Sequence, residues 1–292
     1  MDRMYGGFCF LVVSLFVFAA SVADARAEEG RTTSLYLTAG RAQIKDTYLS
    51  VIPYKGVDWG MGLERFTVSR FGRHRWNTRH LLEGEMAYAS SNRRNTSVMS
   101  YMLSYEFLFY RRYELRCGLN LFAGGMMMLD AGAVYNPRNS NNPASAKAAL
   151  NIGLSGMASY RLHVGRYPVN ITYSLSLPAV GMFFCPQYGA SYYEMFSLGN
   201  RQDWIHFRSF ANYMTVINRL TLDLPVNRRS LRVGYEGKFR SMHENHLVYK
   251  YYSNSFVVGI TWDSSLAAAS PRAKRKQAVA RAVADGYGNY RL

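Results

Sequence analysis

Apolar and polar residues alternate with a period of two along most of the chain after the first thirty residues. Between Ser97 and Tyr110, the odd positions from Met99 to Phe109 are large and apolar, whereas the even positions include the polar residues Ser100, Ser104 and Glu106. Side chains at every second position share one face of a β-strand, because the strand backbone repeats every two residues. The alternation therefore predicts a chain built from strands rather than helices.

The sequence predicts an all-β fold, a single antiparallel up-and-down transmembrane β-barrel over residues 33–263 with about ten strands. The count rises to twelve if His206–Ala211 and a segment near Tyr48 also pair. The ten predicted segments are Thr33–Ala39, Val57–Glu64, Asn77–Tyr88, Ser97–Tyr110, Glu114–Ala123, Leu150–Ser155, Val169–Leu177, Arg219–Leu224, Leu231–Phe239 and Ser255–Trp262.

The polar face of these strands distinguishes a membrane barrel from a soluble one. A soluble sandwich or lipocalin-like barrel turns its apolar face inward, whereas a membrane barrel turns it towards lipid. Here the polar face combines small residues with charges of both signs, which suits a narrow lumen where each charge finds a partner. The predicted lumen charge ladder consists of Arg79, Glu83, Glu85, Glu106, Arg116, Arg232, Glu236 and Lys238.

The lengths of the connections favour the same architecture. The predicted short connections are residues 70–75, 91–94, 111–112, 163–166 and 225–228, and the predicted long ones are residues 40–56, 133–147, 182–213 and 241–253. Short turns at one end and mostly long loops at the other are typical of outer-membrane barrels. We therefore expect a cell outer-membrane location with both termini periplasmic and with membrane lipid as a partner.

The two ends of the chain differ from the strands. Residues 1–27 have a basic start, an apolar run from Phe8 to Ala20 and small residues at two possible cleavage sites, which predicts a signal peptide. Residues 264–292 are Ala-rich and basic, and we expect a flexible tail, either simply solvated or touching anionic lipid or peptidoglycan. After the signal peptide no apolar run is long enough for a transmembrane helix.

The net charge of +16 raises the question of a nucleic-acid partner. No recognition helix or aromatic platform accompanies that charge, so we expect no nucleic-acid partner. Cys117 falls on a predicted strand and Cys185 in a predicted loop, so we do not expect a disulfide between them. The sequence leaves the oligomeric state open.

Candidate chemistry is weak, and the sequence predicts no catalytic residue, metal or cofactor. No G-x-S-x-G motif is present, and the segment from His243 to His246 lacks the spacing of a zinc-binding helix. His80 and His206 with Ser191 or Asp203 could form a catalytic set on the rim, but many other sets are equally compatible. Glu83 and Glu85 are alternatively an acid–base pair for hydrolysis.

Two predicted loops are candidates for binding a glycan or a peptide outside the cell. Asn-rich residues 135–144 offer amides, and residues 183–196 offer aromatic side chains and one carboxylate. The alternative is that the Asn side chains satisfy the loop's own backbone and that the Tyr side chains fold over the barrel mouth. The candidate binding residues are Arg138, Asn139, Asn141, Asn142, Tyr188, Ser191, Tyr192, Tyr193 and Glu194.

Motifs in the same loops resemble a known family. They include Arg138-Asn139-Ser140-Asn141-Asn142-Pro143-Ala144 and Pro186-x-Tyr188-Gly189-x-Ser191-Tyr192-Tyr193-Glu194-x-Phe196. The chain resembles, over about residues 33–262, an uncharacterised Bacteroidetes family described only as a domain of unknown function. The resemblance implies a Gram-negative envelope protein and brings no activity, cofactor or catalytic residue with it.

Three functions remain open from the sequence. The first is a non-enzymatic outer-membrane protein, structural or ligand-contacting, with a mostly filled lumen and extracellular loops. The second is an enzyme acting at the rim, either a lipid acyl hydrolase or transferase or a protease. The third is a small channel, which is disfavoured because about ten strands leave little open lumen once charged side chains fill it.

Overall fold

The computed structural model describes residues 31–68, 75–91, 96–115, 118–139, 142–164, 167–199, 203–226 and 229–263. They form eleven strands and one short helix. The elements are β1 (Arg31–Asp46), β2 (Ser50–Val68), β3 (Trp76–Ser91), β4 (Thr96–Glu114), β5 (Leu119–Tyr135), β6 (Ala144–Val164), β7 (Tyr167–Phe184), α1 (Tyr192–Phe196), β8 (Ile205–Arg208), β9 (Tyr213–Val226), β10 (Arg229–Glu244) and β11 (Leu247–Asp263). The predicted signal peptide and tail lie outside the described residues.

Ten of the strands close into an antiparallel barrel, as the sequence predicted. Their order is β6-β5-β4-β3-β2-β1-β11-β10-β9-β7, and a β6–β7 pairing completes the ring. The first and last strands pair with each other along almost their whole length, from Thr32 opposite Asp263 to Asp46 opposite Tyr249. The additional strand β8 pairs with the end of β7.

The barrel has two ends, named here by what they carry. The mouth carries the β1–β2, β3–β4, β5–β6, β7–β9 and β10–β11 connections, and the base carries residues 31 and 263. Two connections at the mouth are long, residues 136–143 and residues 185–212, of which the second includes α1 and β8.

The prediction of four long connections at this end was wrong at two places. Strand β1 continues to Asp46 and β2 begins at Ser50, so only three residues connect them instead of residues 40–56. Strands β10 and β11 are joined by Asn245 and His246 alone, whose φ angles of 51° and 60° form the kind of tight hairpin turn that fits twisted strands. The strands were underestimated because near the mouth inward residues such as Ile44 and Tyr249 are apolar and outward residues such as Arg41 and Lys250 are polar, which removes the expected alternation although the backbone pairing continues.

The two optional strands had different outcomes. Residues Ile205–Arg208 do pair, opposite residues 181–184 of β7, within the segment suggested around His206–Ala211. Tyr48, in contrast, lies in the tight β1–β2 turn, where Asp46 accepts a hydrogen bond from the Tyr48 backbone N–H at 3.1 Å. The segment around Tyr48 is therefore not a further strand.

Charge divides sharply between the two faces of the barrel wall. Large apolar side chains point outward and remain exposed, for example Phe256 (75%), Leu154 (68%) and Ile152 (59%). Every Asp and Glu whose side chain is described in the ten barrel strands occupies an inward position of the alternation. These residues are Asp46, Asp58, Glu64, Glu83, Glu85, Glu106, Glu114, Asp130, Asp223, Glu236 and Glu244.

The lumen is filled by three kinds of side chain. An aromatic and aliphatic cluster that includes Tyr54, Phe183, Tyr213 and Tyr249 lies at the mouth. A second apolar cluster that includes Phe66, Leu108, Phe122 and Met157 lies deeper in the barrel. Buried charges occupy the space between the walls and contact each other across the lumen.

Gly62 on β2 shows how closely the interior is packed. A side chain at this position would place its Cβ 2.1 Å from the ring of Tyr36 on β1. The missing Cβ lets the fully buried Tyr36 ring lie across β2, so that its hydroxyl donates a hydrogen bond to Glu83 on β3 at 3.3 Å. The glycine at this position is therefore a packing requirement of the lumen.

No helix in the described part of the chain is long and apolar enough to cross a membrane.

Candidate functional site

The charged lumen is one of the two candidate sites. Seven residues of the predicted charge ladder are buried inside the barrel, and the eighth, Arg116, lies outside the described residues. The seven are Arg79, Glu83, Glu85, Glu106, Arg232, Glu236 and Lys238. Glu64, Asp130, Arg219, Asp223 and Arg240 join them and were not in the predicted ladder, although each has the same inward position in the alternation.

Glu83 on β3 collects three donors from distant strands. Arg219 on β9 donates from Nη2 to Glu83 Oε2 at 3.0 Å, and Lys238 on β10 donates to Glu83 Oε1. The Tyr36 hydroxyl contacts the same carboxylate. Since β3 and β9 are five strands apart in a ring of ten, the Arg219–Glu83 pair joins opposite walls.

Arg232 on β10 belongs to a second group of charges, whose other members lie on β2, β3 and β9. Its Nε and Nη2 donate to the two carboxylate oxygens of Asp223 at 2.8 and 3.0 Å, which is the bidentate geometry that favours arginine. Its Nη1 donates at 3.1 Å to Glu64 Oε2, which also accepts from Arg79 at 2.9 Å. Two guanidinium groups and two carboxylates thus neutralise each other inside the wall.

Arg240 connects the charged layer to the mouth. It lies 3.4 Å from Glu85 and 3.8 Å from Asp130, and it donates to Ser104 Oγ at 3.4 Å. Strands β10 and β4 are also five apart in the ring, so the Arg240–Ser104 contact is a second link between opposite walls. The Arg240 guanidinium lies 5.6 Å from the ring centre of Tyr251, in the aromatic layer at the mouth.

The second candidate site is the cap, defined here as residues 185–199 and 203–212. It begins at Cys185, a buried free thiol whose pKa burial raises to about 12, so it is a poor nucleophile at neutral pH. Cys117, the other cysteine after the predicted signal peptide, lies outside the described residues.

Helix α1 is capped by its own residues and is attached to the rim by a tyrosine. Ser191 Oγ accepts from the Glu194 backbone N–H at 3.2 Å, and the Glu194 carboxylate accepts from the Ser191 backbone N–H at 2.8 Å, forming a capping box. These bonds hold the pKa of Glu194 below its ordinary value. The Tyr192 hydroxyl accepts from the Ala146 backbone N–H at 2.6 Å, and burial raises the pKa of Tyr192.

The β1–β2 turn also contacts the cap, through Tyr48. The Tyr48 hydroxyl donates to the Ala190 backbone oxygen at 2.7 Å. Its ring meets the ring of Tyr192 edge-on, with centroids 5.8 Å apart. Tyr48 and Tyr192 therefore join the cap to two separate parts of the rim.

Asn245 in the β10–β11 turn forms a third attachment, called the Asn245 latch here. Its side-chain amide lies within hydrogen-bond distance of the backbone oxygens of Cys185 (3.4 Å), Pro186 (3.5 Å) and Asp203 (3.3 Å). The neighbouring Glu244 carboxylate accepts from Asn212 Nδ2 at 2.8 Å. Asn245 and the neighbouring Glu244 thus hold the start and the end of the cap, respectively.

The predicted binding residues are divided between structural contacts and exposed surface. Asn139 accepts from the Asn142 backbone N–H at 3.3 Å, and Asn136 accepts from the Arg138 backbone N–H at 3.1 Å, so amides of the β5–β6 loop bond to the loop itself. Ser191, Tyr192 and Glu194 make the helix contacts described above, and Asn141 lies outside the described residues. Tyr188 and Tyr193 expose 68% and 67% of their surface.

The histidines considered for catalysis lie on different surfaces. His80 faces outward from β3 and makes a 2.8 Å hydrogen bond with the Tyr105 hydroxyl. His206 lies in the cap, where its Nε2 is 2.9 Å from the Asp203 backbone oxygen, and Ser191 caps α1. Within the described residues, no group of three or more His, Cys, Asp or Glu side chains has the arrangement of a metal site.

Comparisons with solved structures return outer-membrane barrels. The outer membrane protease OmpT from Escherichia coli has 5% identity and a TM-score of 0.44, with 80% of this chain and 96% of that one covered. The translocator domain of the autotransporter NalP from Neisseria meningitidis has 11% identity and a TM-score of 0.38, covering 86% and 94%. The beta domain of the Bordetella autotransporter BrkA has 10% identity and a TM-score of 0.37, covering 79% and 99%.

No curated protein matches the sequence. A family model, in contrast, matches residues 8–273, which begins within the predicted signal peptide and extends into the predicted tail. The match is longer than the range over which the motifs resemble a family, and its description assigns no activity, partner or cofactor. It confirms the resemblance to a family of unknown function. The chain belongs to the family described as protein of unknown function DUF3316.

Proposed function

We propose that this protein is a β-barrel of a Gram-negative outer membrane, with a closed lumen and with its mouth as a structural or ligand-contacting surface. The observation that carries the proposal is the division of charge across the wall. Exposed apolar side chains cover the outside, and the described acidic side chains of the ten barrel strands all take inward positions. A carboxylate facing lipid loses its hydration, whereas one in the lumen finds Arg or Lys partners.

Strand length supports the membrane location. The barrel strands contain 14 residues in β9 to 21 residues in β6. A strand needs only about 9–11 residues to cross the hydrocarbon layer, so each strand has enough length to span it and to continue beyond it. The orientation is proposed from the connections: the two long ones lie at the mouth, so the mouth faces outside and the base with both termini faces the periplasm.

The membrane location is tested by extraction and electrophoresis. We expect the protein to float with vesicles, to require detergent for extraction, and to migrate differently on gels before and after boiling. Solubility without detergent, together with a single migration position in boiled and unboiled samples, would contradict it.

The closed lumen favours a non-conducting protein over a small channel. Arg219–Glu83 and Arg240–Ser104 each connect opposite walls, so side chains fill the cross-section at both places. In planar bilayers we expect no steady current from the wild-type protein. The double variant Arg219→Ala/Glu83→Ala should conduct weakly, because it removes one link, and the outward variant Arg111→Ala/Arg229→Ala should not. A steady wild-type current would make the channel the better function.

Within the part of the chain that the structure describes, no specific contact favours the rim enzyme, because His80 lies on the outer face and Ser191 caps α1. Non-enzymatic contact with an extracellular glycan or peptide is supported by Tyr188 and Tyr193, whose exposed rings offer flat apolar faces. We expect Tyr188→Ala/Tyr193→Ala to lose such binding without loss of folding, measured by glycan-array and peptide-array binding. Unchanged binding by this variant would rule out these two rings as the contact surface.

A further inference from the structure

Four basic residues on the outer face of the barrel gather near the mouth. Arg41 and Lys45 on β1, Lys55 on β2 and Lys250 on β11 occupy outward positions towards the mouth. These four residues are called the cation cluster here. Arg41 and Lys55 are exposed, and Lys45 and Lys250 are partly exposed.

Strand pairing brings the cluster together. Lys45 is directly opposite Lys250, and Gln43 is directly opposite Lys55. Arg41 lies on β1 two residues from Gln43, towards the base, and on the same outward face. Because neighbouring strands are about 5 Å apart and a strand rises about 3.3 Å per residue, the four charges fit in a patch roughly 10 Å by 13 Å.

No described residue on this face of the protein neutralises the patch. The outward positions described on β10, β11, β1, β2 and β3 contain no Asp or Glu, and none of the four cations belongs to an ion pair among the described residues. Directly opposed like charges destabilise a strand pair, so the Lys45–Lys250 arrangement costs free energy unless an anion lies between the two.

The cluster borders the apolar belt on the same three strands. Leu37 (56% exposed) follows on β1, Trp59 (48%) on β2, and Phe256 (75%) and Val258 (54%) on β11. Each strand therefore presents cations nearer the mouth and large exposed apolar side chains nearer the middle. This order complements a molecule with an anionic head and apolar tails.

The pattern is confined to one sector of the barrel. In the mouth half of the other seven barrel strands, the described outward positions contain no Lys or Arg. At the base, outward cations are present but dispersed, for example Arg111 on β4 and Arg229 on β10. A general preference for basic residues near a membrane surface would distribute them around the ring, so the concentration on β11, β1 and β2 indicates a site.

We propose that the cation cluster binds the phosphate-bearing head of an anionic lipid whose acyl chains lie against Leu37, Trp59 and Phe256. This inference rests on the proposed membrane location. Lysine ammonium groups supply compact charges for phosphate, and the Arg41 guanidinium can bind one phosphate through two N–H groups. The amide of Gln43, between the cations, offers hydrogen bonds to the polar part of the head group.

The test uses the full barrel in detergent and counts bound lipid by native mass spectrometry. The probes are phosphatidylglycerol and a bis-phosphorylated lipid A, with zwitterionic phosphatidylcholine for comparison. We expect the wild type to prefer both anionic lipids, and Lys45→Gln/Lys250→Gln to lose about five-fold in affinity for each charge removed. The matched control, Arg111→Gln/Arg229→Gln, removes two outward charges at the base and should change the affinity by less than about two-fold.

The outcomes separate this inference from the proposed membrane location. Failure of the wild type to enter phosphatidylcholine vesicles contradicts the membrane location itself. Entry into vesicles without preference for anionic lipid, or equal losses in the two double variants, overturns the lipid site alone. Displacement of the lipid by inorganic phosphate as effectively as by excess lipid also overturns it, because the site would then take free phosphate. A boiling-dependent shift on gels checks that each variant is folded.

Discussion

The inner and outer faces of the same ten strands differ in which charged residues they carry and in how those charges are paired. Inside, Glu83 and Arg219 approach within 3.0 Å, and buried charges of both signs have partners. Outside, the described positions have no acidic side chain, and four cations stand together without a partner. A buried charge must be matched within the protein, whereas an unmatched cluster on the surface indicates a partner from the surroundings. The comparison predicts that removing a charge has very different costs on the two faces.

The largest effect is expected inside the lumen. Arg219→Ala leaves Glu83 and Glu236 without one of their cations, and removal of one member of a buried pair costs about 3–5 kcal/mol. The outward variant Arg229→Ala should change the free energy of unfolding by less than about 0.5 kcal/mol. Urea unfolding in detergent micelles measures both values. Similar changes in the free energy of unfolding for the two variants would show that charges on the inner and outer faces do not differ in their contribution to stability.

A smaller loss of stability is expected when an additional methyl group is placed in the packed lumen. Gly62→Ala forces its Cβ against the Tyr36 ring and should cost about 1–3 kcal/mol, because the ring has no free space to enter. Gly156→Ala is the control, since the nearest atom to its added Cβ is 3.8 Å away. Adding Tyr36→Ala to Gly62→Ala should restore little net stability but should remove the clash, so the two changes are non-additive. If the free-energy costs of Gly62→Ala and Tyr36→Ala simply added, the direct contact between these two residues would be contradicted.

The Asn245 latch should control the cap without controlling the barrel. Asn245→Gly keeps the positive φ of the turn and removes the amide, so amide hydrogen exchange in residues 185–199 should accelerate about five- to ten-fold. The control His246→Gly changes the other residue of the same turn and should leave the cap exchange unaltered. Faster exchange throughout the barrel strands in the first variant would indicate a global effect instead.

The smallest effect concerns the pH dependence of α1. The Ser191 bonds lower the pKa of Glu194 in the folded protein, so this capping interaction is complete above the ordinary carboxyl pKa and is lost as the pH falls through the folded value. Carbon NMR of the Glu194 carboxyl should show titration below the ordinary range. Ser191→Ala keeps the backbone N–H, which lowers the pKa most, and removes the hydroxyl, so it should return the pKa only part of the way towards its ordinary value. A wild-type pKa at the ordinary value would show that the box does not form in solution.

The sequence predicted the barrel because the wall has a strict inside and outside. Leu103 and Tyr105 alternate with Ser104 and Glu106, and a one-residue shift would place Glu106 outside the barrel. The lumen charges were predictable for the same reason: Arg232 and Glu236 share the inward register. Which charge meets which was not predictable, because Arg219 and Glu83 are 136 residues apart and meet only after closure.

The mouth was harder to predict because its contacts depend on three-dimensional shape. Tyr192 was proposed as a binding residue, but its hydroxyl accepts the Ala146 backbone N–H, a contact that has no signature in sequence spacing. Asn245 was considered only as part of the His243–His246 segment and not as a contact of the cap, although an Asn at a hairpin turn suggests a positive φ. The cation cluster also was not anticipated, because Lys250 and Lys45 become neighbours only through the pairing of the first and last strands.

That pairing also determines when the molecule can be completed during its biogenesis. Ser34 and Thr261 share a hydrogen bond at 2.9 Å across 227 residues of sequence. Until β11 has been synthesised and delivered, β1 and β10 each present an open edge of unpaired N–H and C=O groups, which lipid could not satisfy in the proposed membrane location. We expect any intermediate lacking residues 247–263 to depend on another protein to cover those edges, so insertion and closure must finish together at the β1–β11 seam.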